Sequence, residues 1–251
     1  MKKILYSVAL AACCMGTMTS CSDFLDASNK SNVTAKQSFA TKEGLNNLVN
    51  NAYQHLQNVY AAPLFTSCFS AGTDMYADAR NKMNEALNTY ETLTPENTDI
   101  KNLYTYLYSG IRAANSVSYY AQTAQVDEKT KGQLVGEARV LAAYEYYLLV
   151  NNFGGVPIMK DFLTTADTGY PKSSPEDVYA YIISELEEVI SKNVLQASTA
   201  TKGGGRISQE TAKAILAKTY LSAAWDLNKQ EYFSKAATLA DEVIAGRKLT
   251  T

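Results

Sequence analysis

Apolar residues recur at three- and four-residue steps along most of the chain, the spacing with which one face of an α-helix meets a core. The pattern runs over residues 45–60, 100–123, 127–153, 174–190, 208–225 and 232–245. In the first stretch this face consists of Leu45, Leu48, Val49, Ala52, Tyr53, Leu56 and Tyr60. No run of alternating apolar and polar residues, the pattern of a half-buried strand, rises above noise. The sequence therefore predicts an all-α protein.

Helix boundaries are marked by capping and stop residues at several of these stretches. Ser174 is followed by Pro175 and two acidic residues, which is typical of a capped helix start. Ser208 opens another helix. Gly154 and Gly155 follow the third stretch, where glycine supplies the left-handed conformation that ends a helix. The capping residues and the periodicity therefore agree about where these helices begin and end.

Short links between helices, and small residues within them, indicate a helical repeat. The apolar positions Ala214, Leu216, Ala217, Tyr220 and Leu221 are followed by Tyr232, Ala236, Ala237, Leu239 and Ala240. Small alanines let two helices approach while aromatic rings fill the gap, as in tetratricopeptide (TPR) pairs. The predicted fold is an α-α superhelix of TPR-like pairs with long loops.

The first residues have the composition of an export signal. Lys2 and Lys3 precede a mostly apolar stretch from Ile4 to Met18. This stretch is shorter than the roughly 20 apolar residues of a membrane-spanning helix, and it fits a secretory signal peptide. It ends at Met18-Thr19-Ser20-Cys21, which resembles a bacterial lipobox, whose cysteine becomes the lipidated first residue of the mature protein.

A second match, Leu10-Ala11-Ala12-Cys13, fits the lipobox consensus sequence better. Cleavage before Cys13 would leave a 12-residue signal, below the usual range of about 15–30 residues, whereas cleavage before Cys21 leaves 20. The length therefore favours lipidation at Cys21. A plain secreted protein with an incidental cysteine is the alternative. On this division residues 1–20 are the signal peptide, 21–40 a lipid-anchored tether and entry segment, and 41–251 a helical domain.

Composition narrows the classes of function. The formal net charge is -2 and there is no basic block, so nothing indicates nucleic-acid binding. After signal removal and lipidation only Cys68 is left, and one thiol cannot form an intramolecular disulfide. The 18 tyrosines, against 7 phenylalanines and 1 tryptophan, offer apolar rings with polar tips. Such rings suit a wet groove or the space between helices.

Few residues could carry out catalysis or bind a metal. His55 is the single histidine and Cys68 the single spare thiol, too few for a metal cluster. Neighbouring acids such as Glu187 and Glu188 point to different faces of a helix and do not form the opposed pair of a glycosidase. The chain has neither a G-x-S-x-G elbow nor a phosphate-binding P-loop. The sequence therefore predicts no enzyme, no metal and no cofactor.

Several segments together carry a family resemblance. They are GEARVLAAYEYYLLV at 136–150 with FGGVP at 153–157, the helix start at 173–190, GRIS at 205–208 with AKAILAKTYL at 212–221, LYSGIRAAN at 107–115, and DFLD at 23–26 after the lipobox. These segments resemble the SusD/RagB outer-membrane lipoproteins of nutrient-uptake systems, which typically read GEARFLRAYYYF and then FGGVP. The resemblance covers essentially the whole chain.

The resemblance implies a surface-exposed protein, anchored by lipid in the outer membrane, that binds oligosaccharides or polysaccharides. Its implied partner is a SusC-like TonB-dependent transporter, to which it delivers the glycan. Family members continue beyond residue 251, so the chain is expected to be the N-terminal part of a longer protein, truncated at its C-terminus. The motif residues are interpreted as structural: Glu137 and Arg139 are expected to lock loops by salt bridges, and Arg206 to anchor the Gly-rich loop to a neighbouring helix. A lipidated TPR-like scaffold that binds protein only is the alternative function.

The candidate ligand-binding residues lie in the irregular region between the first two helices. Sugars present apolar C–H faces and hydroxyl edges, which suit aromatic platforms flanked by amides and carboxylates. The loop from Gly72 to Asn97 offers such side chains, and it matches the family's binding face by region. The candidates are Asp74, Tyr76, Arg80, Asn81 and Tyr90.

Overall fold

The computed structural model describes residues 35–61, 64–76, 85–165, 169–197 and 205–245. These residues form the helices α1 (Ala35–Ser38), α2 (Lys42–Tyr60), α3 (Leu64–Phe69), α4 (Glu85–Thr89), α5 (Thr98–Ala121), α6 (Glu128–Phe153), α7 (Pro175–Lys192), α8 (Gln209–Asp226) and α9 (Gln230–Ile244). Apart from an isolated antiparallel bridge between Thr73 and Tyr76, they contain no β-structure. The all-α prediction is confirmed. The predicted signal peptide and Cys21 lie outside the described residues.

The chain divides into two units, residues 1–38 and residues 39–251. Helix α1 is the described part of the first unit, and α2 to α9 belong to the second. The division of the chain into signal peptide, entry segment and helical domain stays a prediction.

The six long helices α2 and α5 to α9 lie where the periodicity predicts them. Five of them begin at a side-chain cap, formed by Thr41, Asn97, Asp127, Ser174 and Ser208. In each case the side-chain oxygen accepts a hydrogen bond from a backbone N–H of the first turn, which has no partner within the helix. Helix α9 begins after Lys229, which makes no such bond.

Helix α6 lies at the centre of the bundle formed by residues 39–251. It packs against α5 and α7, its neighbours in sequence, and also against α2 and α8. Thirteen of its 26 residues are buried, and they lie on more than one side, as expected for a helix surrounded by others. The largest fully buried apolar side chains of the core are Tyr146, Tyr179, Leu45, Leu107, Ile111, Leu141, Leu149, Ile182 and Leu186. Within the described ranges, no helix has both the length and the apolar character needed to cross a membrane.

Arg206 fixes the loop before α8 to two other helices. Its Nε atom lies 2.7 Å from Oε2 of Glu137 on α6, a carboxylate that is fully buried. Its two NH groups donate to asparagine side chains of α2 at 2.8 and 3.0 Å. The Tyr53 hydroxyl donates to Glu137 at 3.2 Å and accepts from the backbone N–H of Ile207 at 2.8 Å. The prediction that Arg206 anchors this loop to a neighbouring helix is confirmed.

Arg139 joins α6 to α7. Its Nε atom lies 2.7 Å from Glu185, and its NH2 group lies 2.6 Å from Glu188. Both carboxylates belong to the same helix, so a single guanidinium holds α7 at two successive turns. Both residues form salt bridges, but only the pair of Glu137 holds a loop, since Arg139 joins two helices.

The FGGVP motif places the start of α7. Gly154 has a φ of 68° at the end of α6, a conformation that glycine adopts without strain. At Gly155 the backbone passes so close to the carbonyl oxygen of Ser173 that an added Cβ would overlap it. The N–H of Ser173 donates to the carbonyl of Val156 at 3.2 Å, and the next residue, Ser174, caps α7. The two glycines therefore let two distant segments of the chain pair closely.

The region predicted as an irregular loop contains two short helices, α3 and α4. Their lengths, 6 and 5 residues, give too few turns for a periodic pattern to stand out. Helix α3 is held by the burial of Leu64 and Ser67, and α4 by the burial of Leu87. These helices form because packing stabilises them, since isolated helices of this length are unstable in water.

Helix α9 packs on α8 through small and aromatic residues, as the sequence predicts. Ala217 and Ala236 are buried, and the rings of Tyr220 and Tyr232 meet edge to face at 5.0 Å. Within the described part of α9, Ala236 is the one buried residue. The two helices also border an apolar cavity of about 490 Å³, here called the α8–α9 groove, lined by Ala214, Ala217, Lys218, Leu221, Phe233, Ala236, Ala237, Ala240, Val243 and Ile244.

Candidate functional site

The predicted binding loop begins with a tight turn that leaves its side chains exposed. Gly72 has a φ of 73°, and Thr73 and Tyr76 pair across the turn. The Thr73 hydroxyl donates to the carbonyl of Ser70 at 2.7 Å, which fixes the turn from within. Asp74 is exposed at the tip, and Tyr76 is 40% exposed. A carboxylate and an aromatic ring are therefore both available to a ligand on this turn.

Tyr90 connects the far side of the loop to this turn. Its φ is 63° and its side chain is 58% exposed. Its hydroxyl donates to the carbonyl of Gly72 at 3.4 Å, and an added Cβ on Gly72 would overlap that hydroxyl. We call this contact the Tyr90–Gly72 clasp. The sequence places Tyr90 in the loop, but no local pattern indicates this contact across 18 residues.

The structure describes three of the five predicted ligand-binding residues. Asp74, Tyr76 and Tyr90 lie on the surface, on the two segments that the clasp joins. Arg80 and Asn81 lie outside the described residues. The five residues stay a predicted ligand-binding set.

A second group of exposed aromatic rings lies immediately before this loop, and sequence reasoning did not select it. Phe65 and Phe69 of α3 stack with centroids 5.4 Å apart, and Tyr60 of α2 lies 5.4 Å from Phe65. The Tyr60 and Phe65 side chains are exposed. The signal was present in the sequence, since Phe65 and Phe69 are four residues apart and share a helix face.

These rings continue onto α6. The hydroxyls of Tyr60 and Tyr144 form a hydrogen bond, and Tyr144 stacks on Tyr147 at 5.9 Å. Burial raises the pKa of Tyr60 above its ordinary value, so its hydroxyl stays protonated. The Nζ atom of Lys218 lies 5.9 Å above the Tyr147 ring. The aromatic surface thus spans helices α2, α3 and α6 and reaches α8.

The acids Glu187 and Glu188 make structural contacts, and the thiol of Cys68 is half-buried. Hydrogen bonds from Arg139 and Lys192 lower the pKa of Glu188 to about 2, so it is ionised and cannot act as a general acid. Glu187 accepts a hydrogen bond from the hydroxyl of Tyr220 at 2.5 Å. Burial raises the pKa of the Cys68 thiol to about 11, which opposes formation of the reactive thiolate. Across the described residues, no group of three or more metal-ligating side chains is present.

Comparison with known proteins assigns this helical-repeat fold to a family. A family model described as "Starch-binding associating with outer membrane" matches residues 23–221. That match covers well over half of the chain. The chain therefore belongs to the SusD-like family, in agreement with the resemblance found in its motifs.

Individual relatives match only part of their own length. A "SusD-like protein" of Bacteroides ovatus is 29% identical over 134 residues, which are 52% of this chain and 24% of the relative. The "SusD-like protein P38" of Formosa agariphila is 28% identical over 190 residues, which are 74% of this chain and 36% of the relative. The chain thus spans roughly a quarter to a third of these proteins.

A solved structure shows the same fold. The "Surface glycan-binding protein A from Bacteroides uniformis" superimposes with a TM-score of 0.70 and 25% identity, over 83% of this chain and 47% of that one. Likenesses of this kind to solved SusD-like structures confirm the TPR-like helical fold predicted from the sequence.

Proposed function

We propose that this protein is a non-catalytic, lipid-anchored cell-surface protein that binds oligosaccharides or polysaccharides through the loop from Gly72 to Asn97. It delivers the bound glycan to a SusC-like TonB-dependent transporter of the outer membrane. Membership of a family described as starch-binding and outer-membrane-associated carries this proposal. The name of the structurally similar Bacteroides uniformis protein, a surface glycan-binding protein, supports it.

The loop has the chemistry that a sugar requires. The exposed rings of Tyr76 and Tyr90 stack against apolar C–H faces, and the exposed carboxylate of Asp74 accepts hydrogen bonds from sugar hydroxyls. Arg80 and Asn81, in the same loop, supply donors. The Tyr90–Gly72 clasp holds the two loop segments together before the glycan arrives, which reduces the entropy lost on binding.

A screen of the purified protein on an array of neutral and acidic oligosaccharides tests this function. We expect saturable binding to at least one class of oligosaccharide, with no release of reducing ends on prolonged incubation. Failure to bind any oligosaccharide would count against the proposal, and hydrolysis would show an enzyme.

The second candidate is a lipidated TPR-like scaffold that binds protein only. The apolar α8–α9 groove favours it, since helical repeats bind partners through such surfaces. The array separates the two, because a protein-only scaffold binds no oligosaccharide while still retaining its transporter in a pull-down from outer membranes.

A further inference from the structure

A groove that contains none of the predicted ligand-binding residues runs along the exposed side of α5. Two adjoining cavities of about 390 and 370 Å³ form it. Both are lined by Ser109 and Arg112 of α5, so Arg112 stands where the two cavities meet. Residues 159–163 form the far wall of the larger cavity, and α2 with Phe39 and Phe162 forms the far wall of the smaller one. We call the whole the α5 groove.

The wall of this groove is fixed by hydrogen bonds from buried or half-buried side chains. The Tyr108 hydroxyl donates to the carbonyl of Pro157 at 2.7 Å, and the Asn115 amide donates to that of Met159 at 2.8 Å. The N–H of Met159 donates to the hydroxyl of Tyr146 at 2.6 Å. The segment after FGGVP is therefore held against α5 and α6, and the groove is formed in advance.

Arg112 is an exposed cation without a carboxylate partner in the part of the chain that the structure describes. The other two described arginines, Arg139 and Arg206, are both paired with buried or half-buried glutamates. The Arg112 guanidinium instead lies 5.5 Å from the centre of the Phe162 ring. Stacking on this ring holds the guanidinium at the groove and leaves its N–H donors for a ligand.

The smaller cavity is suited to an anion. No carboxylate is among its lining side chains, which are Phe39, Leu48, Asn51, His55, Ser109, Arg112, Ala113, Ser116, Tyr120 and Phe162. The Nδ1 atom of His55 is buried and makes no hydrogen bond with described residues, and burial lowers the pKa of this imidazole. The imidazole is therefore neutral and brings no negative charge to this cavity.

The larger cavity is suited to the uncharged part of a sugar. The rings of Tyr104 and Tyr108 lie 4.8 Å apart on its wall, and Asp161 is exposed at its edge. The tyrosine rings suit the C–H face of a pyranose, and the carboxylate accepts hydrogen bonds from hydroxyls. Asp161 also repels negative charge from this cavity, so an acidic group is directed to the smaller cavity on the other side of Arg112.

We propose that the α5 groove is a second saccharide subsite, specific for a sugar residue that carries a negative charge. The acidic group, a carboxylate or a sulfate, binds the Arg112 guanidinium, whose planar fork matches two oxygens of either group. The neighbouring sugar lies against Tyr104 and Tyr108. This inference rests on the proposed glycan-binding function and adds the class of glycan, an acidic one.

The test is calorimetric titration of the protein with defined oligomers. Oligogalacturonate and alginate oligomers supply carboxylates, carrageenan oligomers supply sulfates, and cello- and laminari-oligomers are the neutral probes. We expect acidic oligomers to bind, and Arg112→Gln to weaken that binding by about tenfold or more, since it removes charge-assisted hydrogen bonds. Arg112→Lys keeps the positive charge but loses the planar fork, so its affinity should lie between those of the wild type and Arg112→Gln. The wild-type affinity decreases as salt is added.

Lys101→Gln is the matched control, because Lys101 is an exposed cation of the same helix that does not line the groove. It retains the wild-type affinity, and circular dichroism shows that all variants fold. Acidic oligomers that bind Arg112→Gln as tightly as the wild type overturn the subsite. Binding of neutral oligomers alone also overturns the subsite, but it leaves the proposed glycan-binding function in place. Binding of no oligomer overturns both proposals.

Discussion

At the scale of single residues, Glu145 is a buried carboxyl group without a partner among the described residues. It is fully buried in α6, and neither of its oxygens has a hydrogen-bond partner among the described residues. Its carboxyl group lies against Gly110 of α5, where any side chain would overlap it. Burial raises its pKa well above the ordinary value, because an ionised carboxylate is poorly solvated in this interior.

Glu145 should make the stability of the protein depend on pH. In the unfolded chain it ionises at its ordinary pKa of about 4.3, whereas in the folded protein it holds its proton to higher pH. Its contribution is therefore complete at acidic pH and is lost as pH rises towards the raised pKa. We expect Glu145→Gln to flatten the dependence of the free energy of unfolding on pH above about 4.3. Urea unfolding at several pH values measures this dependence, and Glu43→Gln, at an exposed position, is the control. An unchanged slope in Glu145→Gln contradicts the interpretation.

The loop residues can be tested one at a time. We expect Tyr76→Ala to weaken glycan binding by about 1–3 kcal/mol, the usual effect of removing a stacking aromatic residue from an interface. Asp74→Ala should weaken it through lost hydrogen bonds. Met75→Ala is the matched control, since Met75 lies between them and is 93% exposed. Calorimetric titration with an oligosaccharide found by the array measures all three. Unchanged affinity in both Tyr76→Ala and Asp74→Ala would place the site outside this turn.

At the scale of elements, the ion pair of Arg206 and Glu137 connects α2, α6 and the start of α8. Arg206→Ala leaves a fully buried carboxylate unpaired, and we expect a loss of about 3–5 kcal/mol in the free energy of unfolding. The double variant Arg206→Ala, Glu137→Gln should lose less, because it removes the buried charge as well. Chemical denaturation of the single and double variants measures this difference. Equal stability of Arg206→Ala and the double variant would show that the unpaired charge of Glu137 is not what destabilises Arg206→Ala.

The long helices were predictable because their signals are local. A cap such as Ser174 and an apolar face repeat within a few turns, and both are visible without knowledge of the fold. Helix α3 was not, since packing around Leu64 decides it. The Tyr90–Gly72 clasp and the α5 groove depend on segments far apart in sequence, so no periodic pattern indicates them. For the candidate site, the sequence predicted a loop and its side-chain types, but it did not select the neighbouring rings of Tyr60, Phe65 and Phe69.

At the scale of the whole molecule, attachment to the membrane should depend on a single cysteine. We expect Cys21→Ala to release the protein from membranes into the soluble fraction, and Cys13→Ala to leave it membrane-bound. A single acyl chain binds a membrane only weakly, so a stable anchor implies several chains. Fractionation of expressing cells followed by detergent phase separation measures the difference. Release by Cys13→Ala alone would assign cleavage to the earlier lipobox.

The order in which the helices pack has a consequence for folding kinetics. In residues 39–251 each long helix contacts the next long helix along the chain, and α6 also contacts α2 and α8. Contacts between near neighbours in sequence cost little loop-closure entropy, so such topologies fold quickly. Helix α9, with Ala236 as its one buried residue, should open with the lowest free energy among the long helices. Hydrogen exchange should therefore start at α9 and reach the amides of α6 last.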